Sequence, residues 1–415
     1  MTTSETRLHR PGTSGFRRLN LAMGLAGLAA FGMLYTTQPL LPELSEAFEV
    51  GPTTASLTLS VCTGLLALLV VPATALGQRW GRPRTMGIAL LTAAVLTLLG
   101  AAAPTFAVLL LLRALTGAAL AAVVGVAMGH VGVEIHASGL ATAMGLYVAG
   151  NSLGGVGGRL ITSAFVDFTS WRWAMAALGV AALVATAGFW RLLPDSTATP
   201  TPYVASAEPA RTRAYRDLLT DPAMVAVLLI PFALMGGFVA VYNYLAFRLT
   251  AAPFSLPAAV VGLVFVTYLS GTVSSALAGR AADRVGRGRV LVGSVVVMGL
   301  GLALTLPDNL ALLVVGLLVL TAGFFGAHSV ASGWAPVVGS RHPSQASALY
   351  VCSYYVGSSI FGAVVGLSWR AGAWPATAAS VGALVLVGLV SSLAVVARVR
   401  PRTHKRASQV VTAVP

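Results

Sequence analysis

Charged residues are scarce in this 415-residue chain. They make up 9% of it, whereas hydrophobic residues make up 57%. A soluble globular domain has about 25% charged residues, so this composition excludes a water-soluble fold. Apolar runs of about 18 residues or more recur along the chain, and each is long enough to cross a hydrocarbon core about 30 Å thick. The composition therefore indicates an integral membrane protein.

Cysteine is also rare, with Cys62 and Cys352 as its two copies. Both lie within apolar runs, where a thiol behaves as a small buried hydrophobe, so a disulfide framework is excluded. The phosphate-binding pattern G-x-x-x-x-G-K-[ST] is absent, which argues against ATP as an energy source. The net charge of +14 does not indicate nucleic acid, because the basic residues are scattered between apolar runs. We expect no cofactor, metal or nucleic-acid partner, lipid as the solvent, and no required oligomer.

Twelve apolar runs predict an all-α membrane protein of two six-helix bundles, at residues 19–193 and 222–397. Between them, residues 194–221 are rich in Pro, Ser, Thr and charge, which predicts a solvated linker with a short surface helix near Tyr215. The predicted spans are 19–41, 54–76, 85–103, 106–129, 139–165, 172–193, 222–247, 258–279, 290–306, 309–335, 345–368 and 373–397.

The two tails, residues 1–18 and 398–415, are polar and basic. An even number of spans puts them on the same side of the membrane. With the tails and the linker inside, 21 basic residues are cytoplasmic and three, Arg172, Arg248 and Arg370, are outside. Since cytoplasmic loops are enriched in Lys and Arg, this asymmetry predicts cytoplasmic termini in a bacterial-type inner membrane.

Two segments of the first half recur in the second half at nearly the same spacing. GRAADRVGRGR at 279–289 matches TALGQRWGRPR at 74–84, which lies 205 positions earlier. ATAMGLYVAGNSLGG at 141–155 resembles SQASALYVCSYYVGSS at 344–359, at a spacing near 203. Two such matches indicate duplication of a six-helix unit. Parallel repeats of this kind place a solute site between the halves, near the middle of the membrane.

The repeated loop also carries a family resemblance. Residues 279–289 resemble the G-x-x-x-D-R-x-G-R-x-R signature between the second and third helices of the major facilitator superfamily, and the resemblance covers nearly the whole chain. It implies a carrier that alternates access by rocking one bundle against the other. It also implies a gating loop that resists opening toward the cytoplasm, formed here by Gly279, Asp283, Arg284, Gly286, Arg287, Gly81 and Arg82.

The residue types in this loop have physical roles. Gly279 would allow close helix packing, Gly286 would allow a tight turn, and Asp283 would face the positive end of a neighbouring helix. A second interpretation is that the arginines only enforce topology. In the first copy Thr74 replaces the glycine and Gln78 replaces the aspartate, so we expect the loop of the second half to hold more tightly.

The fourth predicted span carries Arg113 in LLLLRALTG, with Gly117 one turn later. An arginine within a span costs about 2.5–3.5 kcal/mol on insertion scales, so it should face protein or a wet cavity. The pattern resembles the R-x-x-x-G feature of proton-linked carriers in the family, and it implies a role in coupling. The alternative is a structural arginine that ties the span to neighbouring carbonyl groups.

The fifth predicted span, GLYVAGNSLGGVGGRL, is rich in glycine. It resembles the family's antiporter motif, with Gly155 where that motif has proline, and so implies export more than import. Arg159 is a second charge within a span and is expected to line the outer part of the cavity. Small residues four apart let helices approach closely in lipid. The glycines expected to do so are Gly145, Gly150, Gly154, Gly157 and Gly158.

A narrower resemblance comes from YNYLAFRL at 242–249 and PFSLPAAVVGL at 253–263, together with the pair Gly158 and Arg159. These segments look like the YnfM-type branch of inner-membrane efflux carriers, near the drug:proton antiporters. The substrates of that branch are poorly defined, so the resemblance identifies no cargo.

Polar and aromatic side chains within the spans are the candidate substrate contacts, because a polar group that faces lipid would be unsatisfied. Gln38 of the first span and Asn243 of the seventh occupy equivalent positions in the two halves, which favours ligand contact for this pair. For each of the others, hydrogen bonding between helices is an equal alternative. The candidates are Tyr35, Gln38, Asn151, Tyr242, Asn243, Tyr354 and Tyr355.

Proton coupling has fewer candidates, since no Asp or Glu lies at the centre of a predicted span. His328 is the one histidine deep in a span, and imidazole titrates near neutrality. We assign coupling to His328, tuned by Arg113, with Arg159 as the second charge within a span. A neutral packing histidine is the alternative, Glu134 and Asp167 are weaker candidates, and uncoupled diffusion stays open.

We therefore predict a secondary transporter that moves a small, amphipathic organic solute by alternating access, with proton-linked efflux favoured. A uniporter or an importer of a small metabolite is the alternative. A membrane-embedded enzyme is a more distant one, because His130, Glu134 and His136 lie close together near a predicted cytoplasmic loop and could bind metal. We expect no enzymatic activity.

Overall fold

The computed structural model describes residues 8–194 and 208–411, and nearly all of them are helical. The predicted tails and linker extend beyond this part of the chain, at 1–7, 195–207 and 412–415. The helices of the first half are α1 Ser14–Tyr35, α2 Leu41–Ala47, α3 Pro52–Trp80, α4 Arg82–Ala101, α5 Phe106–Glu134, α6 Ala137–Val166 and α7 Trp171–Leu192. Those that follow are α8 Glu208–Thr220, α9 Pro222–Thr250, α10 Ala258–Leu263, α11 Tyr268–Val285, α12 Arg287–Leu304, α13 Leu310–Val338, α14 Pro343–Val364 and α15 Gly366–Val411.

Eleven segments in the described ranges are long and apolar enough to cross a membrane. They correspond to every predicted span except the fifth. That span is α6, a helix of 30 residues with many Gly, Ser and Thr. Its length also suffices, because about 20 residues cross the hydrocarbon core. The predicted all-α membrane fold is confirmed, and α8 confirms the short helix expected near Tyr215.

The chain forms two compact units. Of the described residues, unit 1 contains 8–194, Tyr242–Val266 and Gly362–Arg370, and unit 2 contains 208–241, Thr267–Phe361 and 371–411. The last third of α9, all of α10 and the start of α15 therefore belong to unit 1 together with α1 to α7. The predicted division into two six-helix bundles stays a prediction.

The first helix ends earlier than the sequence predicts. α1 ends at Tyr35, whereas the predicted span continues to residue 41. A proline donates no backbone hydrogen bond and disfavours helical backbone in the residue before it, so Pro39 prevents the helix from continuing. Gln38 therefore lies in the turn between α1 and α2, and its prediction as a residue of the first helix is wrong.

Two later spans are interrupted. The predicted span 258–279 consists of α10, a 3₁₀ turn at Val264–Thr267, and α11. The tighter winding of a 3₁₀ turn changes the direction in which successive side chains point. Phe265, which lies in this turn, is buried. In α15 the backbone leaves helical geometry at Gly372 and Ala373, where the last predicted span begins.

Glycines of α6 bring its backbone against α1. A methyl carbon added at these positions would overlap backbone atoms of α1, which confirms the predicted close packing there. The glycines are Gly150, Gly154 and Gly158. At Gly145 and Gly157 an added carbon would meet nothing within 4 Å, so the prediction of close packing is wrong for those two.

Candidate functional site

A series of hydrogen bonds joins Gln38 to Asn243 within unit 1. Nε2 of Gln38 donates to Oδ1 of Asn243 at 2.8 Å, and Nδ2 of Asn243 donates to the carbonyl oxygen of Gly362 at 3.1 Å. On the other side, Nε of Arg159 donates to Oε1 of Gln38 at 2.7 Å. Both amide side chains are fully buried. We call Gln38, Asn243 and Arg159 the polar triad; it brings together two predicted substrate contacts and one predicted coupling residue.

The guanidinium of Arg159 lies between polar and aromatic groups and is 1% exposed. Its Nη1 donates to the carbonyl oxygen of Gly155, one turn earlier on α6, at 2.7 Å. Its Cζ is 4.0 Å from the centre of the Tyr35 ring and 5.1 Å from that of Phe265. A desolvated cation–π contact contributes about 2 kcal/mol. The two rings and the amide oxygens therefore offset part of the cost of burying this charge.

Arg113 binds three backbone carbonyl groups. Its Nη1 and Nη2 donate to Met33 and Leu34 at 2.9 and 2.6 Å, and its Nε donates to Thr58 at 3.2 Å. Met33 and Leu34 lie in the last turn of α1, where carbonyl groups lack partners within the helix and carry partial negative charge. Arg113 thus ties α5 to α1 and α3, as the structural alternative requires. It also holds the end of α1 beside the turn that contains Gln38.

Two more predicted substrate contacts pack within unit 1. Asn151 of α6 lies against Gly27 of α1, where its side chain fills the space that a Cβ at Gly27 would need. Tyr242 is fully buried, and its ring stacks on that of Phe265 at a centroid distance of 5.6 Å. Tyr242 and Arg159 therefore contact the same aromatic ring, whereas Asn151 contributes to the contact between helices.

His328, Tyr354 and Tyr355 meet in unit 2. The ring of His328 is 4.9 Å from that of Tyr354, which is 5.1 Å from that of Tyr355. Nδ1 of His328 is 3.0 Å from the hydroxyl oxygen of Tyr350. The histidine is thus packed and hydrogen-bonded, as the alternative to a coupling role requires. These four residues form the aromatic cluster together with Phe238, Tyr268, Phe324 and Phe325.

The glycines of the predicted gating loop differ in what they do. Gly286 joins α11 to α12 with φ of 93°, and Gly81 joins α3 to α4 with φ of 86°. Such values favour glycine, so the tight turn predicted at Gly286 is present. At Gly279 an added Cβ would meet nothing within 4 Å. The close helix contact expected at Gly279 is therefore not formed in this structure.

The charged residues of the loop lie at the surface. Asp283, Arg284 and Arg287 are exposed, and Arg82 is half-buried. In the described part of the chain, the carboxylate of Asp283 forms no hydrogen bond or ion pair. The contact expected between Asp283 and the positive end of a helix is therefore absent from this structure, and the gating role of the loop stays a prediction.

Asp167, at the end of α6, connects two helices of unit 1. Its carboxylate oxygens accept hydrogen bonds from the backbone amides of Ala258 and Ala259, at 3.0 and 2.8 Å, where α10 begins. We call these two bonds the Asp167 latch. Burial, together with the charges of Asp167 and Glu46, raises the pKa of Glu43 on α2 to about 7. Glu43 is therefore a carboxyl group with a raised pKa whose charge interacts with that of Asp167.

The residues of the metal-site alternative do not converge. His130 and Glu134 lie one turn apart on α5, with Nδ1 and Oε1 separated by 4.0 Å. His136 instead caps α6, because its Nδ1 accepts a hydrogen bond from the backbone amide of Ser138. Within residues 8–194 and 208–411, no group of three His, Cys, Asp or Glu side chains is placed to hold a metal ion.

Arg113 and Arg159 are buried charges within membrane-spanning helices, and such charges mark solute or ion pathways. The sequence profile of the Major Facilitator Superfamily matches residues 23–271. This chain belongs to the Major Facilitator Superfamily. Among its relatives in that family, the inner membrane transport protein YnfM of Escherichia coli is 42% identical over 395 residues, which cover 95% of this chain and 93% of YnfM. The MFS-type transporter YybF of Bacillus subtilis is 38% identical over 392 residues, which cover 92% and 94%.

More distant comparisons agree on the family fold. The chloramphenicol efflux pump Rv0191 of Mycobacterium tuberculosis is 29% identical over 360 residues, which cover 81% of this chain and 83% of that protein. A crystal structure of the nucleoside transporter NupG matches with a TM-score of 0.75 over 91% of this chain and 99% of that one, at 14% identity. The resemblance to YnfM-type carriers and the major facilitator fold are thus confirmed. The protein is an integral membrane transporter.

Several site residues were not predicted from the sequence. Phe265 is identified only by its contacts with Arg159 and Tyr242, since a phenylalanine in an apolar run carries no local signal. The hydroxyl of Tyr244 lies 3.2 Å from Oγ of Ser56, and this contact joins residues far apart in the chain. Glu43 resembles any loop carboxylate in the sequence. In each case the signal is a long-range contact, which local patterns do not contain.

Proposed function

We propose that this transporter exports a small, amphipathic organic compound by alternating access, linked to the proton gradient. The polar triad is the observation that carries the proposal. Gln38, Asn243 and Arg159 bond to one another although they are buried and come from different parts of unit 1. Buried polar groups need partners, so separating them would leave sites for a solute with hydrogen-bond donors and acceptors. The name of the relative Rv0191, an efflux pump, supports export.

The aromatic cluster of unit 2 supports an amphipathic cargo. Ligand sites are lined mainly by apolar and aromatic groups with a few placed polar groups. Tyr354 and Tyr355 present rings and hydroxyl groups, and His328 adds an imidazole. We assign these residues, together with Tyr35, Asn151, Tyr242 and the amides of the triad, to substrate binding.

Coupling is proposed to use His328, Arg113 and Arg159. An imidazole can carry a proton, and the two cations would set how easily that proton is held. Facilitated diffusion is the second candidate, because no Asp or Glu lies at the centre of any predicted span. Import and catalysis are further alternatives. Uptake and efflux measured side by side distinguish import from export, and an enzyme that is not a carrier would move no solute.

The proposed orientation follows from the positive-inside rule. With both termini in the cytoplasm, the turns at Gly81 and Gly286 face the cytoplasm. The turn that contains Gln38, and the Asp167 latch, then face the outside. The predicted gating role of residues 279–289 belongs to the cytoplasmic side in this orientation.

Uptake and efflux in proteoliposomes test the proposal. Chloramphenicol is the first solute to test, within a panel of aromatic and aliphatic compounds, with and without an imposed pH gradient. We expect efflux driven by an inward proton gradient and strongly reduced in Gln38→Leu. Gln345→Leu, which changes an amide outside the triad, is the control. Transport that does not depend on the pH gradient would support facilitated diffusion, and no transport of any of these solutes in either direction would overturn the proposed export of an amphipathic compound.

A further inference from the structure

Glu43 lies on α2, the short helix outside the membrane spans. Its Oε2 is buried and has no hydrogen-bond partner in the described part of the chain. The adjacent Leu44, with Leu40, is fully buried in an apolar cluster that includes Trp171 and Met175. Oε2 loses water without gaining a donor, and this burial outweighs the backbone hydrogen bond at Glu43 that favours the ionised form, so the protonated form of the group is favoured.

The groups that act on Glu43 come from several elements. Asp167 at the end of α6 and Glu46 on α2 both add negative charge near it. Arg172 on α7 donates to the carbonyl groups of Ala101 and Ala103 at the end of α4. The facing helix α3 has no charged residue before Arg79. The charged environment of Glu43 is therefore acidic.

Protonation and the latch are connected by geometry. Asp167, which is exposed, accepts hydrogen bonds from the amides of Ala258 and Ala259. Val166, which precedes Asp167, packs against the apolar cluster that contains Leu44, the neighbour of Glu43, and the charge of Asp167 acts on Glu43. When Glu43 is ionised, its charge repels that of Asp167 and its buried oxygen lacks water. When Glu43 is neutral, both costs are removed. A proton therefore favours the arrangement seen here, because a ligand shifts a protein toward the state that binds it more tightly.

We propose that Glu43 is a proton-binding group that controls the Asp167 latch, so that the latch is held when Glu43 is protonated and released when Glu43 is ionised. The raised pKa of Glu43, about 7, places this switch near neutrality. An arrangement in which Glu43 meets water would return its pKa toward the ordinary 4.5. Loss of the proton and opening at the latch therefore favour one another.

Only the consequence of this switch for transport rests on the proposed function. In a carrier that exchanges cargo for protons, with the latch on the outer side, acid outside would return the protein to its latched arrangement after cargo release. Proton binding at Glu43 and its effect on Asp167 can be measured without any cargo. A failure of transport and a failure of the switch are therefore distinguishable.

Hydrogen–deuterium exchange of the purified full-length protein in nanodiscs tests the latch directly. Exchange at the amides of Ala258 and Ala259 would be resolved by fragmentation and corrected for intrinsic pH dependence. We expect these amides to be at least about tenfold less protected at about pH 8.5 than at about pH 5.5. Protection that stays constant over this range would overturn the proposal.

Three variants make the test specific. Glu43→Gln should keep the amides protected at every pH, because its amide cannot ionise. Asp167→Ala should leave them unprotected at every pH. Glu49→Gln, which changes an exposed carboxylate of the same loop, should behave as the unchanged protein does. Wild-type pH dependence in Glu43→Gln would contradict the role of Glu43.

An infrared titration gives a second measurement that does not depend on the latch. The carbonyl band of a protonated carboxyl group should titrate near neutrality in the unchanged protein and in Glu49→Gln. That component should be missing from Glu43→Gln. If it persists in Glu43→Gln, another group binds the proton and the proposal fails.

Discussion

Nε2 of Gln38 lies 2.8 Å from Oδ1 of Asn243, although 205 positions separate the two residues. Both are buried, and Nε of Arg159 donates to Oε1, the side-chain oxygen of Gln38. The spacing of 205 is also that of the repeated loops at 74–84 and 279–289. Two amides that match in the sequence repeat are thus direct partners.

A double-mutant cycle should detect this partnership. For Gln38→Ala and Asn243→Ala we expect a coupling energy of about 0.6–1.7 kcal/mol, as for hydrogen bonds between membrane helices. Reversible unfolding in mixed micelles measures it. Thr97→Ala, which removes a bond to Ala93 within one helix, should show no coupling to Gln38→Ala. A coupling near zero for the amide pair would contradict the prediction.

Replacement of Arg113 by lysine should destabilise the protein although it keeps the charge. An ammonium group lacks the planar fork that reaches three carbonyl groups, so we expect a loss of about 2–3 kcal/mol and a lower Tm. Thermal unfolding in detergent measures the loss. Arg172→Lys, at a half-buried arginine with two carbonyl acceptors, should cost less. Equal losses would argue against a special role for the Arg113 contacts.

Glycine replacements on α6 should differ by position. Gly154→Ala places a carbon on the backbone of Leu28, so we expect a loss of about 1–3 kcal/mol and weaker α1–α6 packing. Gly157→Ala adds the same carbon where nothing lies within 4 Å, and it should be neutral or slightly stabilising. Unfolding midpoints of the two variants, measured side by side, check this. A larger loss in Gly157→Ala would contradict the packing seen here.

An acidic residue at position 78, in the repeat segment 74–84, should change the balance between inward-facing and outward-facing states. Gln78→Asp gives this loop the charge that Asp283 provides in the second, so we expect a shift of about fivefold or more between inward and outward accessibility. Cysteine labelling from each side of the membrane measures accessibility, and transport rates measure its effect. Asp283→Asn should shift the balance in the opposite direction. If both accessibility and transport are unaffected by Gln78→Asp, the gating interpretation is wrong.

The stability of the protein should depend on pH through Glu43. Its pKa is about 7 in the folded protein and 4.5 in an ordinary environment, so between these values the folded state binds more protons than the unfolded state. The free energy of unfolding should therefore fall as pH rises from about 4.5 to about 7, and the loss should be complete above that range. Melting curves of Glu43→Gln should lack this component, and those of Glu49→Gln should retain it. A component of the same size in Glu43→Gln would contradict the prediction.

The helical spans could be predicted from the sequence because the cause is local. Each span needs about 20 apolar residues to cross the hydrocarbon core, whatever the rest of the chain does. The interruptions were harder to predict. Pro39 is a local signal that limits α1, whereas the 3₁₀ turn at Val264–Thr267 has no proline within it. Turns of this kind depend on the packing of neighbouring helices.

Composition and repeats alone determined that this protein crosses the membrane many times and contains a duplicated unit, and the loop at 279–289 carries the resemblance to the major facilitator superfamily. The sequence also determined that four polar residues within or near the spans, Gln38, Asn243, Arg113 and Arg159, need polar surroundings. A buried polar group must have partners in lipid, so its presence can be predicted before its partners are known. Only the tertiary structure decided which partners those are. It paired the two amides, directed Arg113 to carbonyl groups and bonded Asp167 to the amides of Ala258 and Ala259, because these contacts join residues that are distant in the chain.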